Sequence, residues 1–286
     1  MNVNFWLIQA FNGISYGALL FLVGSGLSLI FGVMRIVNLS HGSYFLLGGY
    51  VALTVIWTTG SWVLAIPVAA VAIGAVGLLM ERIFLRPLGF DPLRQVLLTV
   101  GFAFLFQQAA LDIWTGNNFD ITPPDVLTKS IQVGGLFLPL YRVFMIATAA
   151  AIGLILWLAM EKTRMGAMVR ATVDDAQMAR GVGIDTSRIS MLIFALGAFL
   201  AALGGVIGGA FLGVYPGLDF EILPLAFAVV IIGGMGSLGG AAIGALLVGL
   251  ADNFGKALFP EVSYFTLYAP MALILAIKPT GLFGRE

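Results

Sequence analysis

The sequence contains no cysteine and a single histidine, His41. The first absence rules out disulfides, thiol nucleophiles and Cys-ligated metals, and the second removes a His-rich metal site. Charge is scarce too: Asp, Glu, Lys and Arg make up 10% of the 286 residues, against ~25% in a typical soluble domain. The two signs balance at fourteen each, which gives no basis for a nucleic-acid partner. No Walker pattern exists, since "GLADNFGKA" (249–257) has the wrong spacing and Ala257 stands where Ser or Thr is needed. A nucleophile elbow and paired carboxylates are also missing, so catalytic and metal-ligating residues and a cofactor of the chain's own are not expected. The apolar spans are expected to lack the mid-membrane acids of ion-coupled carriers, with Asp112 and Asp252 near their outer ends.

What the chain has in quantity is apolar length. Hydrophobic residues make up 60%, mean hydropathy is +1.05, and 37 glycines suit close helix packing in lipid. With a crossing of roughly 20 residues as the ruler, apolar stretches fall near 5–33, 41–58, 62–84, 95–114, 140–160, 189–213, 222–254 and 263–278. The seventh is too long for one crossing. "GGMGSLGG" (233–240) divides it into a short piece, 222–232, and a longer one, 237–254. The expectation is an all-α polytopic membrane protein: one transmembrane domain over 1–286, about eight transmembrane helices, one of them short or broken. The N-terminal "MNVNFWLIQAFNG" lacks the basic flank of a cleaved signal peptide and is expected to start the mature chain.

The basic residues orient it. With the N-terminus outside, eleven of the fourteen fall on the inner side: Arg35, Arg82, Arg86, Arg94, Lys162, Arg164, Arg170, Arg180, Arg188, Lys278 and Arg285. Only Lys129, Arg142 and Lys256 fall outside, and Trp6, Trp57, Trp62 and Trp114 take outer-interface positions. The C-terminus is then cytoplasmic.

Four segments carry more than apolar bulk. "EKTRMGAMVRATVDDAQMARGVGIDTSR" (161–188) mixes both charges and predicts a short helix with Arg170, Asp174, Ala176 and Ala179 near one face. "GVGID" (181–185) can end that helix, because glycine accepts a left-handed cap. The segment fits docking to a soluble partner and equally a solvated connector. "ERIFLRPLGFDPLRQVLLTVG" (81–101) reads as a positive inner anchor in which Pro87 and Pro92 stop helices. Two glycine ladders, Gly205/Gly209/Gly213 and Gly236/Gly240/Gly244, predict flat packing faces. "MRIVNLSHGSYFLLGGY" (34–50) interrupts the apolar run and is expected at or just within the cytoplasmic end of the first two spans. Asn38 or Ser40 would cap the second helix there, with His41 neutral in its first turn and favoured for orienting the hairpin over touching substrate.

These segments resemble the permease subunits of branched-chain amino acid ABC importers. "GLSLIFGVMRIVNLSHGSYFLLGGYVA" (26–52) is similar to the family's Asn-Phe-Ala-His-Gly signature, with Leu39 and Ser40 in place of Phe and Ala. "ERIFLRPL…LLTVGFA" (81–103), "TRMGAMVRATVDDAQMARGVGID" (163–185), "GGMGSLGG" and "KPTGLFGR" (278–285) follow in order. The compact length resembles the smaller, Liv-type permease. The resemblance implies a multi-pass protein of the bacterial inner membrane, lying in the lipid bilayer and forming the translocation path with a second homologous permease. It implies two cytoplasmic ATPase subunits carrying ATP and Mg, and a periplasmic substrate-binding protein. The cargo it implies is an amino acid, most readily leucine, isoleucine or valine. Urea, amides or aromatic carboxylates within the family, or a stand-alone channel for a small neutral solute, are the alternatives. It makes 161–188 the ATPase-coupling loop, with Arg164, Gly166, Arg170, Asp174, Asp175, Ala179 and Gly183 as its candidate residues. Gln177 and Met178 depart from the general coupling motif. Asn38, Ser40, His41, Gly42, Gly233, Gly234 and Gly236 are the candidates for a path or gate.

Overall fold

The computed structural model describes residues 3–89, 91–278 and 280–284, so Arg285 lies outside them. It opens with α1 (Val3–Met34), whose 32 residues span about 48 Å. This helix is apolar on every side, which suits a place at the centre, and nearly every residue from Ser15 to Ile30 is buried. Around it follow α2 (His41–Thr59), α3 (Trp62–Met80), α4 (Pro92–Trp114) and α5 (Leu140–Lys162). Two short helices, α6 (Arg164–Asp174) and α7 (Ala176–Gly181), lead to α8 (Thr186–Leu212), α9 (Leu218–Gly233), α10 (Leu238–Leu258) and α11 (Ser263–Ile277).

The seventh apolar stretch is two antiparallel helices, α9 and α10, so the eight stretches yield nine long helices among the described residues. Six of them (α1, α3, α4, α5, α8 and α10) have the length and apolarity to cross a bilayer. The chain is an all-α polytopic membrane protein, and the paired strands among the described residues are one small hairpin. This hairpin, β1 (Ser130–Val133) paired antiparallel with β2 (Leu136–Pro139), turns at Gly134 and Gly135, both with positive φ. "VGGL" between short apolar runs is the signal for it.

α1, α2 and α8 form the core, with α3, α9 and α10 packed around them. Glycine sets two of these contacts. Gly205 of α8 lies against the Phe45 backbone of α2, and Gly249 of α10 against Gly13 and Gly17 of α1, where a β-carbon would overlap main chain. The predicted ladders hold in part: Gly205 and Gly209, and Gly240 and Gly244, are helical and packed. Gly213 instead caps α8, and Gly236 lies in the α9–α10 turn. α4 and α5 are peripheral, with exposed apolar faces (Leu97, Phe104 and Leu105; Leu154, Ile155 and Leu158) of the kind a bilayer or a membrane partner covers.

Candidate functional site: a buried helix start and the α6–α7 end

Residues 35–40 do not stay at the end of α1. His41 Nε2 donates to the Val23 carbonyl at 3.0 Å, and Val23 lies eleven residues before Met34, about 16 Å back along α1. The connector therefore turns back into the bundle, and α2 begins about a third of the way back along α1. Of the expected places, at or just within the cytoplasmic end of the first two spans, the start of α2 takes the inner one and lies deeper than the end of α1. Irregular backbone at that depth is tolerated because protein covers it: Asn38, Ser40 and His41 are wholly buried.

The capping expectation changes as well. Ser40 holds the N-cap position, but its hydroxyl donates to Asn38 Oδ1 at 2.7 Å and caps nothing. Asn38 Oδ1 also accepts the Ser40 amide at 3.1 Å, closing a local turn instead of a cap. Thr99 Oγ1 of α4 accepts the Leu39 amide, and Met80 of α3 lies against both Ser40 and Tyr44. The start of α2 is thus held by α1, α3 and α4 together.

Gly42 packs on the Asp219 backbone at the start of α9. Asp219 is 2% exposed and accepts a hydrogen bond from Ser43 at 3.1 Å. It stands fourteen residues before Gly233, about 21 Å along α9, well inside the bundle. Glu81, in the π-helical turn that continues α3, is 2% exposed too. The expectation was that the spans lack mid-membrane acids; Asp219 and Glu81 are acids buried inside the bundle, Glu81 at the end of α3 and Asp219 in the first turn of α9. Asp219 precedes the apolar run 222–254; the turn "YPG" followed by an acid in the first helical turn was the available signal. Asn38 Nδ2, His41 Nδ1, Tyr50 Oη and Asp219 Oδ1 have no hydrogen-bond partner among the described residues.

The 161–188 segment lies at the Met34 end of the bundle and is two helices, not one. Asp175 leaves helical geometry and caps α7, its Oδ1 accepting the Gln177 and Met178 amides at 2.8 and 2.9 Å. The break separates Arg170 and Asp174 from Ala176 and Ala179, so they do not share one helix face. α7 ends in a Schellman turn: Gly183, φ +90°, donates to the Arg180 carbonyl and Ile184 to that of Ala179, each at 3.0 Å. Thr163 caps α6 through the Gly166 amide, and Gly166 is pressed against the Ala159 and Met160 carbonyls. Arg170 turns inward, donating to the Met160 carbonyl at the end of α5 and standing 3.8 Å from Glu161. Ala179 is buried and anchors α7 on the bundle, while Arg164, Asp174, Asp175 and Gly183 are exposed. So are Met178, at 68%, and Val182, at 73%.

The glycine break belongs to this same end. Gly234 (φ +105°) and Gly236 (φ +80°) turn the chain from α9 into α10, which Ser237 caps through the Gly240 amide. The last α9 carbonyls, Ile232 and Gly233, each accept an amide of the C-terminal segment, Leu282 and Phe283, at 3.0 Å. Gly233, Gly234 and Gly236 therefore lie far from Asn38, Ser40, His41 and Gly42, and the candidate gate residues form two places. A cavity of about 810 Å³ joins the second place to the loop, bounded by Gly236, Arg170 and Asp174 among others. A smaller one of about 360 Å³ lies between Arg35 and the α6–α7 junction.

The family model for the branched-chain amino acid transport system permease component matches residues 9–275. The chain belongs to this family. LivH, the high-affinity branched-chain amino acid transport system permease protein of Salmonella typhimurium, is 32% identical, the alignment covering 98% of this chain and 96% of LivH. BraD of Pseudomonas aeruginosa, described in the same words, is 27% identical over 98% of this chain and 96% of BraD. LivM of Salmonella typhimurium is 25% identical over 91% of this chain and 67% of its own length. The buried α2 start and the α6–α7 segment of this permease both lie within the matched residues.

Proposed function

We propose that this permease imports branched-chain amino acids through the bacterial inner membrane, driven by ATP hydrolysis on separate subunits. The observation that carries it is the near end-to-end likeness to LivH, a high-affinity branched-chain amino acid transport permease. Likeness to both LivH and LivM supports a path shared with a second, homologous permease. A periplasmic binding protein delivers the substrate, and two cytoplasmic ATPases carry ATP and Mg. α6 and α7 are the coupling segment. Their capped, rigid backbone and the outward Met178 and Val182 suit docking into a soluble partner's groove.

The N-terminus lies outside and the C-terminus in the cytoplasm. If each of the nine long helices crosses, the termini fall on opposite sides, and the excess of Lys and Arg on the α6–α7 side supports this orientation. Because the chain has no cysteine, single-cysteine labelling reads the topology directly. An impermeant maleimide on intact cells is expected to label Ser263→Cys and spare Thr280→Cys, and the reverse pattern refutes the orientation.

Function is tested by reconstituting the chain with and without its partner subunits. Leucine uptake is expected only with the ATPases, binding protein and ATP present. Uptake by the chain alone, without ATP, would make it a channel and overturn the proposal.

A further inference from the structure

The outward faces of the long helices are not alike. From Val63 to Leu79 the exposed residues of α3 are all apolar, as are those of α5 from Ala147 to Leu158 and of α10 from Ala242 to Leu247. α4 differs. Its exposed stripe runs through Leu97, Gly101, Phe104, Leu105, Gln108 and Asp112, on one face at steps of three and four. Gln108 Nε2 donates to Asp112 Oδ1 at 2.9 Å, and the space around Gly101 is open.

The stripe continues onto α9. The exposed rings of Phe104 and Phe220 meet at 5.9 Å, and exposed Glu221 follows in the first turn of α9. Phe104 stands twelve residues after Pro92 and ten before Trp114, about 18 and 15 Å along α4, close to its middle. Glu221 stands twelve residues before Gly233, about 18 Å from the inner end of α9. An exposed carboxylate therefore lies near mid-span. Tyr215 Oη donates to it at 2.8 Å, and it has no ion pair among the described residues. Hydrocarbon does not cover such a group, because acids at that depth face protein or a water-filled cavity.

We propose that the α4–α9 face, with Gly101, Phe104, Gln108, Phe220 and Glu221, is this chain's wall of the water-filled path that it shares with the second permease. The apolar faces of α3, α5 and α10 are left to lipid. A dry contact between permeases would have to supply a cation for Glu221, whereas water in a path satisfies both Glu221 and Gln108. The role rests on the proposed shared path and adds to it which helices form this chain's side. Ring carbon for an aliphatic side chain and a carboxylate for an ammonium group then stand on consecutive residues of that wall, Phe220 and Glu221.

The chain has no cysteine, so single cysteines report on each face. Phe104→Cys, Gln108→Cys and Phe220→Cys are compared with Val71→Cys on α3 and Leu154→Cys on α5, each in the assembled importer in nanodiscs. The probe is a charged methanethiosulfonate, which needs a thiolate in contact with water, and its attachment is read on this chain by mass. The three α4–α9 positions are expected to react at least about tenfold faster than the two controls. Leucine uptake by the modified importer in proteoliposomes is expected to fall about tenfold or more for Phe104→Cys and Phe220→Cys, relative to treated wild type, and to stay within about twofold for the controls. Reaction as slow as the controls at every α4–α9 position, or undiminished uptake after modification, overturns the wall. Three positions keep the test open if one variant fails to assemble. Labelling needs no cargo, so a wild type that imports no leucine refutes the transport proposal while the labelling still decides the face.

Discussion

The start of α2 and the α6–α7 segment use similar polar residues in opposite surroundings. At α2, Asn38, Ser40, His41 and Asp219 sit inside the bundle and bind one another or main chain, leaving several polar atoms without partners. At α6–α7, Thr163 and Asp175 spend their side chains on local helix caps, and the outward surface is left to Met178 and Val182. In the interior His41 ties α2 to α1 and Asp219 ties α9 to α2, so removing either disturbs a contact between helices. On the surface the same groups stabilise one turn, and water replaces what is lost. The first region holds a particular packing, and the second leaves apolar side chains exposed.

Four substitutions break or sharpen this contrast. Gly205→Leu drives a side chain into the Phe45 backbone and is expected to cost more than ~4 kcal/mol, leaving no monodisperse protein in detergent gel filtration. His41→Ala removes the Val23 hydrogen bond and opens a buried void, costing about 2–4 kcal/mol, read as a lowered thermal midpoint. A midpoint within a degree of wild type would show that the buried start of α2 is not structural. Asp175→Ala removes a surface cap worth about 1 kcal/mol. Hydrogen exchange should quicken in α7 alone, with the bundle unaffected; spread into α8 would contradict the local character assigned to this segment. Met178→Glu should leave stability within about 0.5 kcal/mol of wild type, since the side chain is exposed. It should nevertheless lower ATP hydrolysis coupled to the partners, and unchanged coupling would reduce the segment to a solvated connector.

Much of this was legible in the residues. The apolar runs fixed the helices, because a bilayer demands that length and tolerates few charges within it. "GGMGSLGG" divided the long seventh run, and "GVGID" ended α7 where glycine takes the left-handed turn. Local rules reached that far because each such feature depends on neighbours within a few positions. The single-helix reading of 161–188 failed because nothing marks which of Asp174 and Asp175 will cap a new helix and which will continue the old one.

Depth was beyond reach. Hydropathy assigns His41 and Asp219 to the ends of their runs, and only the fold shows α2 starting beside Val23 and Asp219 closing on Ser43, 176 positions away. By itself the sequence determined an all-α membrane protein, its helices and its family motifs. The tertiary structure alone decided which polar residues lie inside the bundle, and that residues of α1, α5, α6, the start of α10 and the C-terminal segment line one cavity. The reason is physical: a helix follows from local periodicity and solvent. Partners across a bundle follow from how glycines and side chains let distant helices approach, and one stretch of sequence carries no mark of that.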